Sequence, residues 1–113
     1  MYELDADSQL QAMGNGAFRS AVTDRFSIGS APNGGYLAFI ALRAALATTP
    51  HPDPFSVTTH YLATARPGEV TLNVESVRTG RGHSTREVRM HQGGKEILRQ
   101  LAVLGDLSTT RAW

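Results

Sequence analysis

The 113-residue sequence contains no cysteine, which removes disulfide frameworks, thiolate metal sites and cysteine nucleophiles together. It has no long hydrophobic run either. The longest apolar stretch, Tyr36 to Ala47, is broken by Arg43 and is too short to span a bilayer, so it reads as a core segment with no membrane partner expected. Net charge is nearly absent, at +1 from 11 basic and 10 acidic residues, which gives no field for gathering nucleic acid. Histidines and carboxylates form no cluster at ligand spacing, so neither a metal nor a bound cofactor is expected. Met1 leads into Tyr2-Glu3-Leu4-Asp5 without the basic and apolar regions of a secretory signal, and the expected location is the cytoplasm. Lysine is almost missing: Lys95 stands alone, and the arginines favour the second half, as Arg66, Arg78, Arg81, Arg86, Arg89, Arg99 and Arg111. A local site for a phosphorylated ligand is compatible with that bias, because the planar guanidinium fork matches phosphate.

What is present suffices for one domain. With 41% apolar and 19% charged residues, the composition is that of an ordinary globular fold, and a chain of this size buries roughly two thirds of its unfolded surface. Gln9–Met13 and Ala17–Val22 flank the turn-prone Gly14-Asn15-Gly16, which predicts a short hairpin. Tyr36–Ala47 is rich in Ala and Leu and predicts a helix, capped by Asn33 or Ser30 and opposed beyond Thr49 by Pro50. Its circumference is apolar except for Arg43, so something should wrap it. Four runs follow that read as strands: Phe55–Ala65, Val70–Thr79, Ser84–Gln92 and Lys95–Leu104. Between them stand Arg66-Pro67-Gly68-Glu69, Gly80-Arg81-Gly82 and Gly93-Gly94, which predict a type II turn, a second turn and a primed hairpin turn. Such short links imply an antiparallel meander. Its core-facing rows are expected at Val70, Leu72 and Val74, at Val88 and Met90, and at Ile97, Leu101 and Val103. The fold class is α+β, an antiparallel sheet wrapped around one central helix. From Asp106 onward periodicity is lost.

These residues resemble the N-terminal hotdog domain of acyl-CoA thioesterases of the thioesterase II type and related thioesterase-like proteins. The likeness is carried by Pro32-Asn33-Gly34-Gly35-Tyr36-Leu37-Ala38, by Phe55-Ser56-Val57-Thr58-Thr59-His60-Tyr61-Leu62, by Ala65-Arg66-Pro67-Gly68 and by Val77-Arg78-Thr79-Gly80-Arg81-Gly82-His83-Ser84-Thr85. In order and spacing it runs from about Phe26 to Leu107. It implies a hotdog domain over residues 1–107, with 108–113 a tail or the start of a linker. It also implies a fatty acyl-CoA substrate cleaved at the thioester, with CoA belonging to the substrate. Members of this family usually carry two hotdog domains, and their catalytic carboxylate, hydroxyl and amide belong to the second. The resemblance therefore assigns no catalytic residue here, and it implies pairing with a second hotdog domain or a homo-oligomer.

Thioester hydrolysis requires an activated water or a nucleophile, and the expected helix carries no Asp or Glu. The weak candidates for a base are Asp24, before the helix, and His60, mid-strand. Asn33, Gly34 and Gly35 are the better candidates for binding, since a helix N-terminus without side chains exposes N–H groups that can hold a thioester oxygen. Arg78, Gly80, Arg81 and Gly82 form a flexible cationic turn suited to CoA phosphates. His51 reads as a loop residue, and Ser56 and Ser84 have no neighbouring His and Asp in sequence, which disfavours a serine hydrolase. The expected function is an acyl-CoA thioesterase-like half that hydrolyses or binds its ligand. The alternative is a non-catalytic acyl-binding or dimerisation module. A hydratase would need Asp and His together near the helix.

Overall fold

A computed structural model describes residues 8–24, 27–28 and 31–108. The helix forms as expected and starts two residues earlier, α1 at Gly34–Leu46. Asn33 is the cap: its backbone is extended (φ −63°, ψ 134°), its Oδ1 accepts from the Gly35 N–H at 2.7 Å, and its carbonyl accepts from Leu37 N–H at 3.1 Å. These bonds satisfy two of the donors that a helix start leaves open. At the other end Thr48 donates from both its N–H and its hydroxyl to the Ala45 carbonyl.

Among the described residues, eight strands accompany it: β1 (Gln11–Gly14), β2 (Ala17–Val22), β3 (Ser27–Ile28), β4 (Ala31–Pro32), β5 (Asp53–Tyr61), β6 (Gly68–Thr79), β7 (Ser84–Gln92) and β8 (Lys95–Gly105). The β1–β2 turn is the expected one, with Asn15 and Gly16 both at positive φ (56° and 77°), the backbone of a primed turn. Gly93 and Gly94 repeat it between β7 and β8 (φ 58° and 79°).

The large sheet runs β1-β2-β6-β7-β8-β5, every pair antiparallel, and β3 with β4 forms a separate two-stranded sheet. This corrects the meander. Strand β5 ends at Tyr61 rather than Ala65 and pairs with β8, not with β6. The reason is that β2 already occupies the free edge of β6, from Ala17↔Asn73 to Val22↔Gly68. Residues 62–67 cross the ends of β8 and β7 instead of turning back as a hairpin. Three strand spacings are about 14 Å, within the roughly 20 Å that six extended residues reach. Gln92 pins the crossing, accepting from Arg66 N–H at 2.9 Å and donating to the Arg66 carbonyl at 2.7 Å.

A second correction concerns β8. Ile97 is buried, but Leu101 is exposed and Val103 only half-buried; the row that meets the core is Leu98, Gln100, Ala102 and Leu104. A register shift opposite Met90/His91 makes Ile97 an extra residue, which reverses the side-chain parity beyond it. The polar Gln100 hid the true row from an alternation test.

The helix lays Tyr36, Leu37, Ile40, Ala41, Ala44 and Ala45 on Phe18, Val22, Val70, Leu72, Val88, Met90, Leu98, Ala102 and Leu104. Its packing is against β6, β7 and β8 above all. Only one face is closed, because Ala38, Phe39, Leu42 and Leu46 remain half-buried. Among the described residues, no helix is long and apolar enough to cross a membrane.

Gly16 is required twice over, by its positive φ and because a Cβ there would stand 2.6 Å from the Val74 carbonyl oxygen. Gly16→Ala is expected to destabilise the fold by about 2 kcal/mol. Urea unfolding checks this, and a change below about 0.5 kcal/mol would remove the turn from the account.

Candidate functional site

At the start of α1 the two glycines have different tasks. The ring of Tyr61 lies over Gly34, where a Cβ would be 3.1–3.3 Å from its atoms, and the Tyr61 hydroxyl donates to the Gly34 carbonyl at 2.8 Å. Gly34 is bare so that the ring of an adjacent strand can close on it. Gly35 is exposed, with its N–H held by Asn33 Oδ1. A ligand oxygen claiming that N–H would take the place of the Asn33 side chain. On the other side of this helix start, the Tyr36 hydroxyl accepts from Thr23 N–H at 3.1 Å.

From Tyr61 a half-open strip runs back along β5. Thr59 and Val57 stand opposite the buried Gln100 and Ala102, so they share the helix-facing side of the sheet. The helix meets this edge strand only lightly, leaving Val57 40% and Tyr61 53% exposed. Midway, Gln100 donates from Nε2 to the Ala38 carbonyl and to Thr59 Oγ1, both at 3.1 Å, while its Oε1 is buried without a partner. The strip ends at Phe55, where a bulge between Pro54 and Ser56 brings the ring against Gly105 and edge-on to His83, 5.3 Å between centroids. The six residue-to-residue steps from Phe55 to Tyr61 make it roughly 20 Å long.

At that far end lies the basic turn. Arg78, Arg81 and Gly82 are exposed, and Gly80 N–H donates to the His83 carbonyl at 2.7 Å. Beneath it sits a buried polar corner. His51 Nδ1 is 2.7 Å from Ser84 Oγ, Thr49 Oγ1 donates to Ser84 Oγ at 2.7 Å, and His51 Nε2 is 3.1 Å from the Arg81 carbonyl. Arg86, 4% exposed, donates to Thr48 Oγ1, to the Thr48, Arg78 and Thr85 carbonyls, and to no carboxylate. Sequence reasoning left Ser84 without a histidine; the fold supplies one from 33 residues away. The pair is still no hydrolase dyad, because Ser84 is 0% exposed and no substrate carbonyl can reach it.

The two binding clusters read from the sequence, Asn33 to Gly35 and Arg78 to Gly82, thus sit at opposite ends of α1, joined by the β5 strip. Of the two base candidates, Asp24 is exposed in the bend after β2, next to Thr23, whose N–H meets the Tyr36 hydroxyl at the helix start. His60 is exposed on the outer sheet face, opposite Arg99. Hydrogen bonds from Arg99 hold the Glu96 carboxyl below its ordinary range, and the Ser108 hydroxyl and N–H do the same for Asp106, with a smaller contribution from His51. The residues that sequence reading missed are Tyr61, Thr59, Gln100, His51 and Arg86. The partners that define the site are mostly distant in sequence, and only the polar interruptions at Arg86 and Gln100 in otherwise apolar rows were there to be noticed.

A family model described as acyl-CoA thioesterase N-terminal domain matches residues 22–105. Among solved structures, a candidate thioesterase II from Thermobifida fusca YX superposes at TM-score 0.92 and 24% identity, over 97% of this chain and 41% of that one. A conserved protein with a hot dog fold from Alicyclobacillus acidocaldarius gives 0.86 and 25%, over 100% and 42%. A hypothetical thioesterase protein with coenzyme A from Streptococcus pneumoniae TIGR4 gives 0.73 and 16%, over 86% of each. No curated protein matches. The fold is therefore a hotdog, and the chain spans about two fifths of the length of the first two structures.

The buried corner generates a test. Ser84→Ala should cost about 1–3 kcal/mol by removing the buried hydroxyl that bonds both His51 Nδ1 and the Thr49 hydroxyl, and a fluorophosphonate probe should not label the unmodified protein at Ser84. Labelling there would return the pair to catalysis.

Proposed function

Because this chain belongs to the acyl-CoA thioesterase N-terminal domain family, we propose that it is the first hotdog half of a protein that takes fatty acyl-CoA thioesters, hydrolysing them together with a second hotdog domain. The observation that carries this reading is the β5 strip. It has a helix N-terminus at one end and a cationic turn at the other, at a separation of roughly 20 Å. An acyl-CoA has the matching form, a thin extended arm with phosphates at one end and a thioester at the other. In this reading Arg78 and Arg81 face the phosphates, and Gly80 and Gly82 let the backbone approach them. Asn33, Gly34 and Gly35 receive the thioester end, where the Gly35 N–H and the positive end of α1 favour a carbonyl oxygen that gains negative charge.

The name of the Streptococcus pneumoniae neighbour, which mentions coenzyme A, supports the ligand class. The base comes from the second domain in this reading, since His60 lies on the outer face of the sheet, away from the helix side. A second domain is also supported by β5 itself, an edge strand whose unpaired backbone and exposed Val57, Tyr61 and Leu62 invite a further element. The placement of His60 on the outer face equally favours a second reading, an acyl-binding or dimerisation module without turnover. A second copy of the chain could fill the same edge.

Thiol release from acyl-CoAs of several chain lengths separates the readings. The 113-residue chain by itself should bind without turnover, and turnover appears once a second hotdog domain is supplied. Turnover by this chain alone, lost in Asp24→Asn or His60→Gln, would reassign the base. Gly35→Asp, which places an anion at the helix mouth, should weaken acyl-CoA binding by about tenfold, or ~1.4 kcal/mol. Unchanged calorimetric affinity with the fold intact would exclude the helix N-terminus.

A further inference from the structure

We propose that His51 and Arg86 are positioning residues for the basic turn: two buried side chains that hold, from beneath, the backbone carbonyls of the two exposed arginines facing the phosphates. This rests on the reading of Arg78 and Arg81 given above. His51 Nε2 meets the Arg81 carbonyl at 3.1 Å and Arg86 Nη1 meets the Arg78 carbonyl at 3.0 Å. Both holders are tethered to the two residues that leave the helix end, His51 through Ser84 to the Thr49 hydroxyl and Arg86 directly to Thr48.

The chemistry fixes the direction of the chain. A carbonyl only accepts, so His51 Nε2 carries the hydrogen; in the neutral ring Nδ1 is then bare, and the Ser84 hydroxyl donates to it and accepts from Thr49. Imidazole thus works in one tautomer, as a spacer between the helix end and the turn. Arg86 is a costly way to stabilise a core, being a buried cation without a carboxylate. Its return is geometric. It binds both sides of the β6–β7 ladder where a register shift between Ser76 and Arg78 re-aims the strand. The turn that carries Arg81 has Gly80 and Gly82 on either side of it and would lose much conformational freedom on binding. Fixing two of its carbonyls in the free protein removes part of that cost before the ligand arrives.

Calorimetry of the full chain with coenzyme A and, separately, with pantetheine lacking the nucleotide phosphates tests this. Arg81→Ala should weaken coenzyme A and leave pantetheine unchanged. His51→Ala should weaken coenzyme A by about two- to tenfold, again without effect on pantetheine. His51→Gln, which keeps an N–H facing the Arg81 carbonyl, should recover most of the loss. Arg81→Ala without effect would refute the phosphate reading of the turn itself. An effect of Arg81→Ala with none of His51→Ala would overturn the positioning role alone. Equal weakening of both ligands by His51→Ala would also overturn it, since it marks a role in the fold only. Should His51→Ala fail to fold, Ser84→Ala, which removes the hydroxyl between Nδ1 and Thr49 and leaves the imidazole, carries the same comparison with the same readings.

Discussion

The close seat of α1 on one side of the sheet is the constraint from which the remaining features follow. Ala41, Ala44 and Ala45 present almost no side chain to β6, β7 and β8, while Ile40 fills the space between them; all four are fully buried. Small residues draw the helix toward the sheet centre, and a helix placed there cannot also cover the outermost strand. The exposed row on β5 is thus a consequence of core packing. That row joins the two ends of α1, and those ends differ in chemistry: the first carries a cap and two glycines, the second a buried polar corner below a basic turn.

Much of this was legible in the sequence. The helix, its Asn33 cap, the two glycine hairpins and the extent of β7 follow from local chemistry, since caps and primed turns depend on residues adjacent in the chain. Two errors arose where the deciding interaction was not local. The place of β5 depends on β2 having taken the edge of β6, a contact between segments some 50 residues apart. The inner row of β8 depends on one inserted residue at Ile97, after which Gln100 is inside and Leu101 outside.

The candidate site shows the same division. Asn33, Gly34, Gly35, Arg78 and Arg81 are recognisable because glycine pairs and arginine-rich turns have few uses. Thr59, Tyr61 and Gln100 have no signature, and their relation exists only through the register of β5 with β8 and the hydrogen bonds of Tyr61 and Gln100 to the helix backbone. His51 stands between two prolines, where nothing announces burial. Its partner Ser84 becomes visible only when the Thr48–Thr49 corner is seen to close on the β6–β7 turn. Hydrogen-bonded polar groups in a core make a geometry specific more than they make it stable. Here they converge on the carbonyls of Arg78 and Arg81 at the β6–β7 turn.

The central claim, that the β5 strip is one continuous ligand path from turn to helix start, is tested most directly by titrating isotopically labelled protein with an acyl-CoA and following backbone amide resonances. The account predicts shifts at Gly80 to Gly82, along Val57 to Tyr61 and at Gly34 and Gly35, in one saturating transition. Shifts confined to the outer face, at Thr58, His60 and Leu101, or to the crossing segment at 62–67, would contradict it.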